Sequence, residues 1–232
     1  MSTRVGQKKA ARVVRDQIAR EKRRSRTLWT TIAAVAVLVI AGLIGWGLIS
    51  AQDSGTYTAP PGAVEDGTGI KVGTGPVQID IYEDFICPAC GTFEKQTGDT
   101  LDRLVAQGKA SVVYHPLAFL DRASSTDYST RASAASGAAA EGGKFREYAK
   151  ALFAQQPAEG SAGLSDDQLI AIGRSVGLGD AFAQAVRDGK YKPWTAHVTD
   201  AASGDGVTGT PTVRVAGKDV QPTTQAIQAA VG

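Results

Sequence analysis

A run of 22 consecutive residues without a charge, at positions 28–49, limits what this 232-residue chain can fold into more than any other feature. As a helix with a rise of about 1.5 Å per residue, the run would be about 33 Å long, which matches a hydrocarbon core of roughly 30 Å. Trp29 and Trp46 stand near its two ends, where amphipathic rings favour the membrane interface. We therefore predict a single N-terminal transmembrane helix over residues 28–49.

The charges on the two sides of this run predict its orientation. Residues 1–27 hold ten Lys and Arg against two acids, whereas residues 50–69 hold only acidic charges. By the positive-inside rule, the N-terminus is cytoplasmic and the C-terminal part is extracytoplasmic. A cleaved signal peptide is the alternative, but its apolar region normally has only about 7–15 residues. The sequence therefore favours an uncleaved, single-pass anchor in the cell membrane.

Charge and composition exclude two classes of site. Beyond residue 27 the chain has 15 basic and 21 acidic residues, so we expect no binding of nucleic acid, which requires a basic surface. The only histidines, His115 and His197, lie far apart, and with two cysteines they cannot form a zinc site at Cys2His2 spacing. We expect neither a metal site nor a cofactor.

Composition also divides the chain into four parts. We predict a basic cytoplasmic tail at residues 1–27, the anchor at 28–49, a linker at 50–72 and a folded domain at 73–232. The linker prediction rests on a high content of Gly, Pro, Thr and Asp without a sustained apolar period. The chain as a whole is 43% hydrophobic and 21% charged, which excludes general disorder.

Short patterns predict the first elements of the folded domain. Alternating apolar and polar residues at 77–81 predict a strand, and a helix is expected directly after it. A second strand is predicted at 111–115, followed by an Ala-rich helical region at about 120–205. Within that region, Ser165 and Gln168 have the spacing of a capping box, which predicts the start of one helix.

The C-terminal part of the domain returns to strands. Val213 and Val215 alternate with polar residues, and Gly217-Lys218 fits the two-residue turn of a hairpin. Thr223 or Thr224 can cap a last helix. The order strand, helix, strand, several helices, hairpin and helix predicts an α/β domain with an all-helical insertion.

Both cysteines of the chain, Cys87 and Cys90, follow the first predicted strand and stand at a predicted helix start. Free N–H groups and the dipole at a helix N-terminus stabilise a thiolate, and such a thiol in a Cys-x-x-Cys pair can have a pKa of about 3.5–7.5. A static disulfide between them would close a small ring and restrain little chain. The pattern therefore favours a redox-active pair.

The segment Tyr-Glu-Asp-Phe-Ile-Cys-Pro-Ala-Cys at 82–90, together with Thr-Pro-Thr at 210–212, resembles the DsbA-like branch of the thioredoxin superfamily. The resemblance covers about residues 70–232 and implies a thioredoxin-like fold with a helical insertion. It also implies a protein thiol–disulfide oxidoreductase. Membrane-anchored proteins of this kind resemble members found in actinobacterial envelopes.

The resemblance implies a role for each matching position. Cys87 would be the nucleophile that forms a mixed disulfide with the substrate, and Cys90 would be the buried resolving thiol. Pro211 would be the cis-proline beside the cysteine pair. Thr210, together with Pro88 and Ala89, would contact the bound substrate.

The chain departs from the pattern of many thioredoxin-like proteins at one catalytic position. Those proteins carry a buried acid six residues before the first cysteine, where this chain has Ile81. Glu83 and Asp84 are the nearest acids, and either of them could transfer protons instead. The Pro-Ala dipeptide between the cysteines adds no positive charge, so we expect a moderate lowering of the pKa of Cys87.

Three functions remain open at this point. The first is a membrane-tethered oxidoreductase that introduces disulfides into exported proteins and is reoxidised by a membrane partner. The second is an extracytoplasmic thiol reductase or isomerase that uses the same Cys-Pro-Ala-Cys site. The third is a protein that binds a soft metal ion through the same two thiols. The reduction potential of the cysteine pair would separate the first two functions, since it determines the direction of exchange.

Overall fold

A computed structural model of the chain describes residues 57–64 and 66–232. The tail predicted at 1–27, the transmembrane helix predicted at 28–49 and the first part of the predicted linker lie outside these residues. In the part of the chain that the structure describes, no helix is both long and apolar enough to cross a membrane.

A mixed five-stranded sheet lies at the centre of the described residues. Its strands are β1 (Ile70–Val72), β2 (Val77–Glu83), β3 (Ala110–Pro116), β4 (Thr212–Val215) and β5 (Lys218–Val220). They are arranged in the order β1-β3-β2-β4-β5. Only β2 and β3 are parallel, and each of the other neighbouring pairs is antiparallel. A parallel pair needs a long crossover connection, which is supplied here by the first helix.

Seven α-helices surround this sheet in the described chain. They are α1 (Pro88–Ala106), α2 (Tyr128–Glu141), α3 (Phe145–Ala154), α4 (Asp166–Ser175), α5 (Asp180–Arg187), α6 (Lys192–Gly204) and α7 (Thr224–Val231). Helices α2 to α6 lie between β3 and β4, in the region where the sequence predicts an all-helical insertion. The architecture is thus the expected thioredoxin-like α/β fold with additional helices.

Local capping signals in the sequence correspond to the observed helix starts. At the start of α4, the Gln168 N–H donates to Ser165 Oγ at 3.3 Å, and the Ser165 N–H donates to Gln168 Oε1 at 2.8 Å. At the start of α7, the Ala226 N–H donates to the side chain of Thr223 at 3.3 Å. Both caps satisfy N–H groups that have no partner within the helix.

The hairpin turn between β4 and β5 is shifted by one residue from its predicted position. The sequence predicts Gly217-Lys218 at the turn, whereas the two loop residues are Ala216 and Gly217, with φ of 49° and 75°. Lys218 instead pairs with Val215 in the ladder. Positive φ at both loop residues matches the twist of the flanking strands, which favours this turn even with alanine at its first position.

Residues 57–64 and 66–72 differ from the expected linker, because they pack against the folded domain. We call this segment the N-terminal strap. Its strand β1 pairs with β3, and Ile70 is only 3% exposed. The indole N–H of Trp194 in α6 donates to the Gly67 carbonyl at 2.7 Å. The three-residue strand is too short to give a periodic pattern, yet it covers an edge of β3 that would otherwise be unpaired.

Candidate active site

The two cysteines lie where β2 leads into α1. Cys87 occupies the N-cap position of α1 with an extended backbone, and Pro88 is the first helical residue. The Cys87 N–H donates to the Asp84 carbonyl at 3.1 Å, which closes the turn after the strand. The Cys87 carbonyl accepts the N–H groups of Cys90 at 3.0 Å and Gly91 at 3.2 Å. Because proline has no N–H, its place in the first turn leaves no donor unpaired.

Both thiols are free and buried, but they occupy different surroundings. Cys87 is 6% exposed and Cys90 is 1% exposed. Cys87 Sγ lies 3.4 Å from the carbonyl oxygen of Thr210 and borders a cleft. Cys90 Sγ accepts a long hydrogen bond from the Asp84 N–H at 3.5 Å. Cys87 is thus the thiol that a molecule in the cleft would meet first.

The electrostatic environment separates the two thiols further. A hydrogen bond from the Cys90 thiol, with help from the N–H groups of Ala89 and Cys90, lowers the pKa of Cys87 to about 5. This decrease is larger than the moderate one expected from the dipeptide, because backbone N–H groups and the partner thiol supply the stabilisation. Burial raises the pKa of Cys90 well above its ordinary value, and the hydrogen bond and charge of Cys87 add to that rise.

A loop before β4 brings the Thr-Pro-Thr motif to the cysteines. The Thr210–Pro211 peptide bond is cis, in agreement with the expectation from the resemblance. Thr212 pairs with Tyr82 near the end of β2, so the ladder between β4 and β2 holds the motif beside the active-site turn. Thr210 and Cys87 are therefore in contact although 123 residues separate them.

A cleft of about 940 Å³ opens beside Cys87, between the cysteine-bearing turn and the helical insertion. Its walls combine apolar side chains, backbone and a single charged residue, Glu159. The lining residues are Cys87, Pro88, Ala89, Phe119, Leu120, Glu159, Ser203, Val207, Thr208, Gly209 and Thr210. Each residue that the sequence predicts to contact substrate lies on this cleft. Its mixed apolar and polar lining is typical of sites that bind an organic ligand or a peptide segment.

Asp84 connects the active-site turn to the helical insertion. Its carboxylate is fully buried and accepts three hydrogen bonds. The donors are the Ile86 N–H at 3.1 Å, the Ser129 hydroxyl at 2.7 Å and the Leu120 N–H at 3.0 Å. Burial raises the pKa of Asp84 to about 6, and the three hydrogen bonds oppose that rise.

Glu83 belongs to a second group, which we call the acid cluster: the buried Glu83 and Glu94, Arg146, whose side chain is 12% exposed, and Asp102, whose side chain is 37% exposed. Arg146 Nη2 lies 2.7 Å from Glu94, and Arg146 Nε lies 2.7 Å from Asp102. Glu83 Oε1, Glu94 Oε2 and Arg146 Nη1 are buried and have no hydrogen-bond partner among the described residues. Burial, with the nearby charge of Glu94, raises the pKa of Glu83 to about 8. Glu83 is therefore mostly protonated at neutral pH.

The structure places Glu83 on the same face of β2 as Ile81, since alternate residues of a strand share a face. Ile81 itself is fully buried in the apolar core. The acidic side chain has therefore moved two residues along the strand from its position in many thioredoxin-like proteins. Glu94 lies one helical turn after Cys90 on α1, so the acid cluster extends toward the resolving thiol.

Gln156 contacts the active-site turn and was not predicted from the sequence. The side-chain NH2 of Gln156, just after α3, donates to the Phe85 carbonyl at 3.0 Å and to the Cys87 carbonyl at 2.9 Å. Gln156 lies 69 residues from Cys87 in sequence, in a stretch with no recognised motif. Ser129 and Arg146 were missed for the same reason, since nothing in their local sequence distinguishes them.

Comparison with protein families gives one match to most of the chain. A family model described as Thioredoxin matches residues 67–231. The serine/threonine-protein kinase PknE of Mycobacterium tuberculosis is 35% identical over 133 residues, which are 54% of this chain and 24% of the kinase. The chain thus spans about a quarter of the length of the curated relatives it matches.

Several solved structures of oxidoreductases are also similar. The oxidised DsbA of Mycobacterium tuberculosis is 34% identical with a TM-score of 0.60, covering 66% of this chain and 85% of that one. The reduced disulfide oxidoreductase DsbG of the same organism is 33% identical with a TM-score of 0.64, covering 72% and 86%. The thiol-disulfide oxidoreductase MdbA of Corynebacterium diphtheriae is 25% identical with a TM-score of 0.61, covering 75% and 95%.

Proposed function

The chain belongs to the thioredoxin family, and on that premise we propose that it is a membrane-tethered oxidoreductase that introduces disulfides into exported proteins. Its similarity to DsbA, DsbG and MdbA makes it a protein thiol–disulfide oxidoreductase of the DsbA type. What we propose beyond this activity is that the Cys-Pro-Ala-Cys site carries the reaction, that exported proteins are the substrates and that the chain is tethered to the membrane. The observation that carries its redox chemistry is geometric: Cys87 borders the cleft, and Cys90 lies three residues further on and is buried.

The proposed reaction begins with an oxidised Cys87–Cys90 disulfide. A substrate thiolate attacks Cys87 Sγ, forming a mixed disulfide and releasing Cys90 as the leaving group. A second substrate thiolate then attacks the substrate sulfur of the mixed disulfide, forming the substrate disulfide and releasing Cys87 as a thiolate. Two electrons pass to the cysteine pair, and the two substrate thiols give up their protons. Net exchange leaves the pair reduced, so another thiol oxidant, the proposed membrane partner, must reoxidise it.

The environment of Cys87 supports the oxidising direction. A stabilised Cys87 thiolate is a good leaving group in the second step and favours the reduced form of the pair. A more stable reduced form makes the disulfide a stronger oxidant. Reduction or isomerisation by the same thiols is the alternative. Net reduction would require a more stable disulfide in the cysteine pair.

Proton transfer to Cys90 is the second part of the proposal. We assign it to Glu83 rather than Asp84. The Asp84 carboxylate is engaged by three donors, whereas Glu83 has a buried oxygen without a partner among the described residues. With a pKa of about 8, Glu83 holds a proton at neutral pH that the leaving Cys90 thiolate can take up.

Substrate binding is proposed in the cleft beside Cys87. An extended segment of an exported protein would lie along Thr210 and against Pro88 and Ala89, with its cysteine sulfur facing Cys87. The apolar side chains of the insertion that line the cleft favour substrates that are still unfolded, because folded proteins keep their apolar residues buried. The anchor predicted at 28–49 would hold this site at the outer face of the membrane.

Trapping experiments test the assignment of the two cysteines. In a Cys90→Ala variant, the Cys87 thiolate should attack disulfide-bonded substrate proteins, release one of their sulfurs as a thiolate and remain in a mixed disulfide, because no resolving thiol is present. A Cys87→Ala variant should form none. The reverse pattern would contradict the proposed roles. Equilibration of the wild type with glutathione then gives the direction: a potential nearer about −120 mV than about −270 mV supports the oxidase, and the opposite supports the reductase.

A further inference from the structure

Gln156 reaches from the helical insertion to the turn that carries the nucleophile. The residue follows the end of α3 and is half-buried. Its NH2 group divides its two hydrogen atoms between the carbonyls of Phe85 and Cys87, at 3.0 Å and 2.9 Å. Only the NH2 end of the amide can donate to two carbonyl oxygens, so these contacts determine its orientation.

The Cys87 carbonyl is the first acceptor of α1. It already accepts the N–H groups of Cys90 and Gly91, and the Gln156 amide is therefore a third donor to the same oxygen. This arrangement holds the residues on both sides of Ile86 in one geometry. The N–H groups of Ala89 and Cys90, which favour the Cys87 thiolate, belong to the helical turn that begins at this carbonyl.

We propose that Gln156 is a positioning residue for Cys87, which keeps the active-site turn and the first N–H groups of α1 aligned with the sulfur. Its amide also offsets the negative ends of two carbonyl dipoles beside the nucleophile, so it favours a negative sulfur over a neutral one. Through Gln156, the helical insertion adjusts the chemistry of a thiol that it does not carry. The inference rests on the proposed role of Cys87 as nucleophile.

Gly91 provides independent support for this contact. A Cβ atom at Gly91 would lie only 2.3 Å from Gln156 Oε1 and 3.0 Å from its Cδ. The glycine stands inside a helix, where alanine would be the better helix former. The absent side chain leaves the space through which Gln156 reaches the turn.

The first test compares Gln156→Leu with Gln155→Leu in the purified full-length chain. Gln155 is the same residue type one position earlier, and it is exposed and makes no side-chain hydrogen bond in the described chain. Titration of the thiolate absorbance should show a rise of about half to one unit in the pKa of Cys87 for Gln156→Leu, which corresponds to a change of about three- to tenfold. Gln155→Leu should leave the pKa unchanged.

The redox equilibrium gives a second readout that a purely structural role would not move. Gln156→Leu should shift the equilibrium with glutathione by about three- to tenfold toward the disulfide form of the protein, since the reduced form loses its stabilised thiolate. An unchanged pKa together with an unchanged equilibrium constant would overturn the proposal, whatever the effect on thermal stability.

Gly91→Ala separates positioning from folding. The new methyl group should displace the Gln156 side chain and raise the pKa of Cys87 as Gln156→Leu does, while improved helix propensity offsets any loss of stability. A Gly91→Ala protein with an unchanged Cys87 pKa would also contradict the inference. Failure of the proposed function would give a different result, because Cys87→Ala would then still exchange disulfides. If only this inference fails, Cys87 remains essential for exchange, and its pKa does not change when Gln156 is replaced.

Discussion

The two sides of the active-site turn differ in how their buried polar groups are satisfied. Toward the helical insertion, Asp84 accepts three hydrogen bonds and two turn carbonyls accept the amide of Gln156, and only the Tyr128 hydroxyl is buried without a partner among the described residues. Toward α1, the acid cluster contains three buried polar atoms without a partner among the described residues. The two arrangements begin at adjacent residues, Glu83 and Asp84.

The two sides of the turn therefore differ in how firmly their geometry is held and in how their charge depends on pH. Paired buried groups hold a single geometry, whereas an unpaired buried carboxyl has a large desolvation penalty when charged and changes its protonation near neutral pH. The insertion side therefore works as a scaffold for Cys87. Glu83 in the acid cluster has a pKa of about 8 and changes its charge just above neutral pH, whereas Asp84, with a pKa of about 6, changes its charge at lower pH.

The largest expected effect is the pH dependence that Glu83 contributes to stability. Its pKa is about 8 in the folded protein against 4.5 for the free group, so the folded state binds the proton more tightly. Stability from this group is therefore lost as pH rises from about 4.5 to about 8, by on the order of 5 kcal/mol. Glu83→Gln keeps the neutral form and should be more stable than the wild type at pH 8 but not at pH 4.5. Urea unfolding of the reduced proteins at several pH values measures this difference.

Cys87 contributes with the opposite sign, because its folded pKa of about 5 lies below its ordinary value of 9.0. Its stability contribution is lost as pH falls through about 5. Both the wild type and Glu83→Gln contain Cys87, so its contribution cancels when their free energies of unfolding are subtracted at each pH. The remaining difference reports the Glu83 carboxyl alone. A constant difference across the pH range would show that the two sides of the turn do not differ as described.

Removal of the cation from the acid cluster is the next largest effect. Arg146→Met should destabilise the protein by about 3–5 kcal/mol, because Glu94 and Asp102 lose their buried partner. Lys150→Met is the control, since Lys150 also binds Asp102 but is 41% exposed. It should lose no more than about 1 kcal/mol. Denaturant unfolding measures both losses. Equal losses for the two variants would contradict the distinction between the largely buried Arg146 and the more exposed Lys150.

A smaller loss is expected on the paired side of the turn. Ser129→Ala removes one donor from the buried Asp84 carboxylate and should reduce stability by about 1–3 kcal/mol. Ser129→Ala should also raise the pKa of Asp84 above about 6. The variant should therefore lose more stability than the wild type as pH rises from about 4 to about 7.

Ser133→Ala is the matched control for this prediction. Ser133 is a buried serine on the same helix, but it donates to the Pro116 carbonyl rather than to a carboxylate. Ser133→Ala should lower the free energy of unfolding by the same amount at every pH. A similar pH dependence in both variants would count against the role of Ser129 at Asp84.

The smallest expected effect concerns the rim of the cleft. Glu159 is exposed, is the single charged residue of the lining and has no ion pair among the described residues. Glu159→Gln should lower kcat/KM about two- to fivefold for peptides with Lys or Arg beside the cysteine, the size of an exposed ion pair. Peptides with Gln at those positions should be unaffected. An equal change for both peptide sets would exclude a role in substrate choice.

The sequence by itself determined the features that depend on near neighbours. The strand at 77–81, the helix start after Cys87 and the capping box of Ser165 with Gln168 follow from alternation and spacing over a few residues. The contact of Thr210 with Cys87 could be expected only through the resemblance to a known family. Nothing in the local pattern relates two segments so far apart.

Only the tertiary structure decided which polar groups around the thiols are paired. Gln156, Ser129 and Arg146 lie in segments of ordinary composition, and each acquires its role by packing against a residue at least 44 positions away. The N-terminal strap escaped prediction for the same reason, since its pairing with β3 has no periodic signal. Helix caps and strand alternation are set by neighbours along the chain, whereas burial and hydrogen-bond pairing depend on which distant segments meet in the folded state.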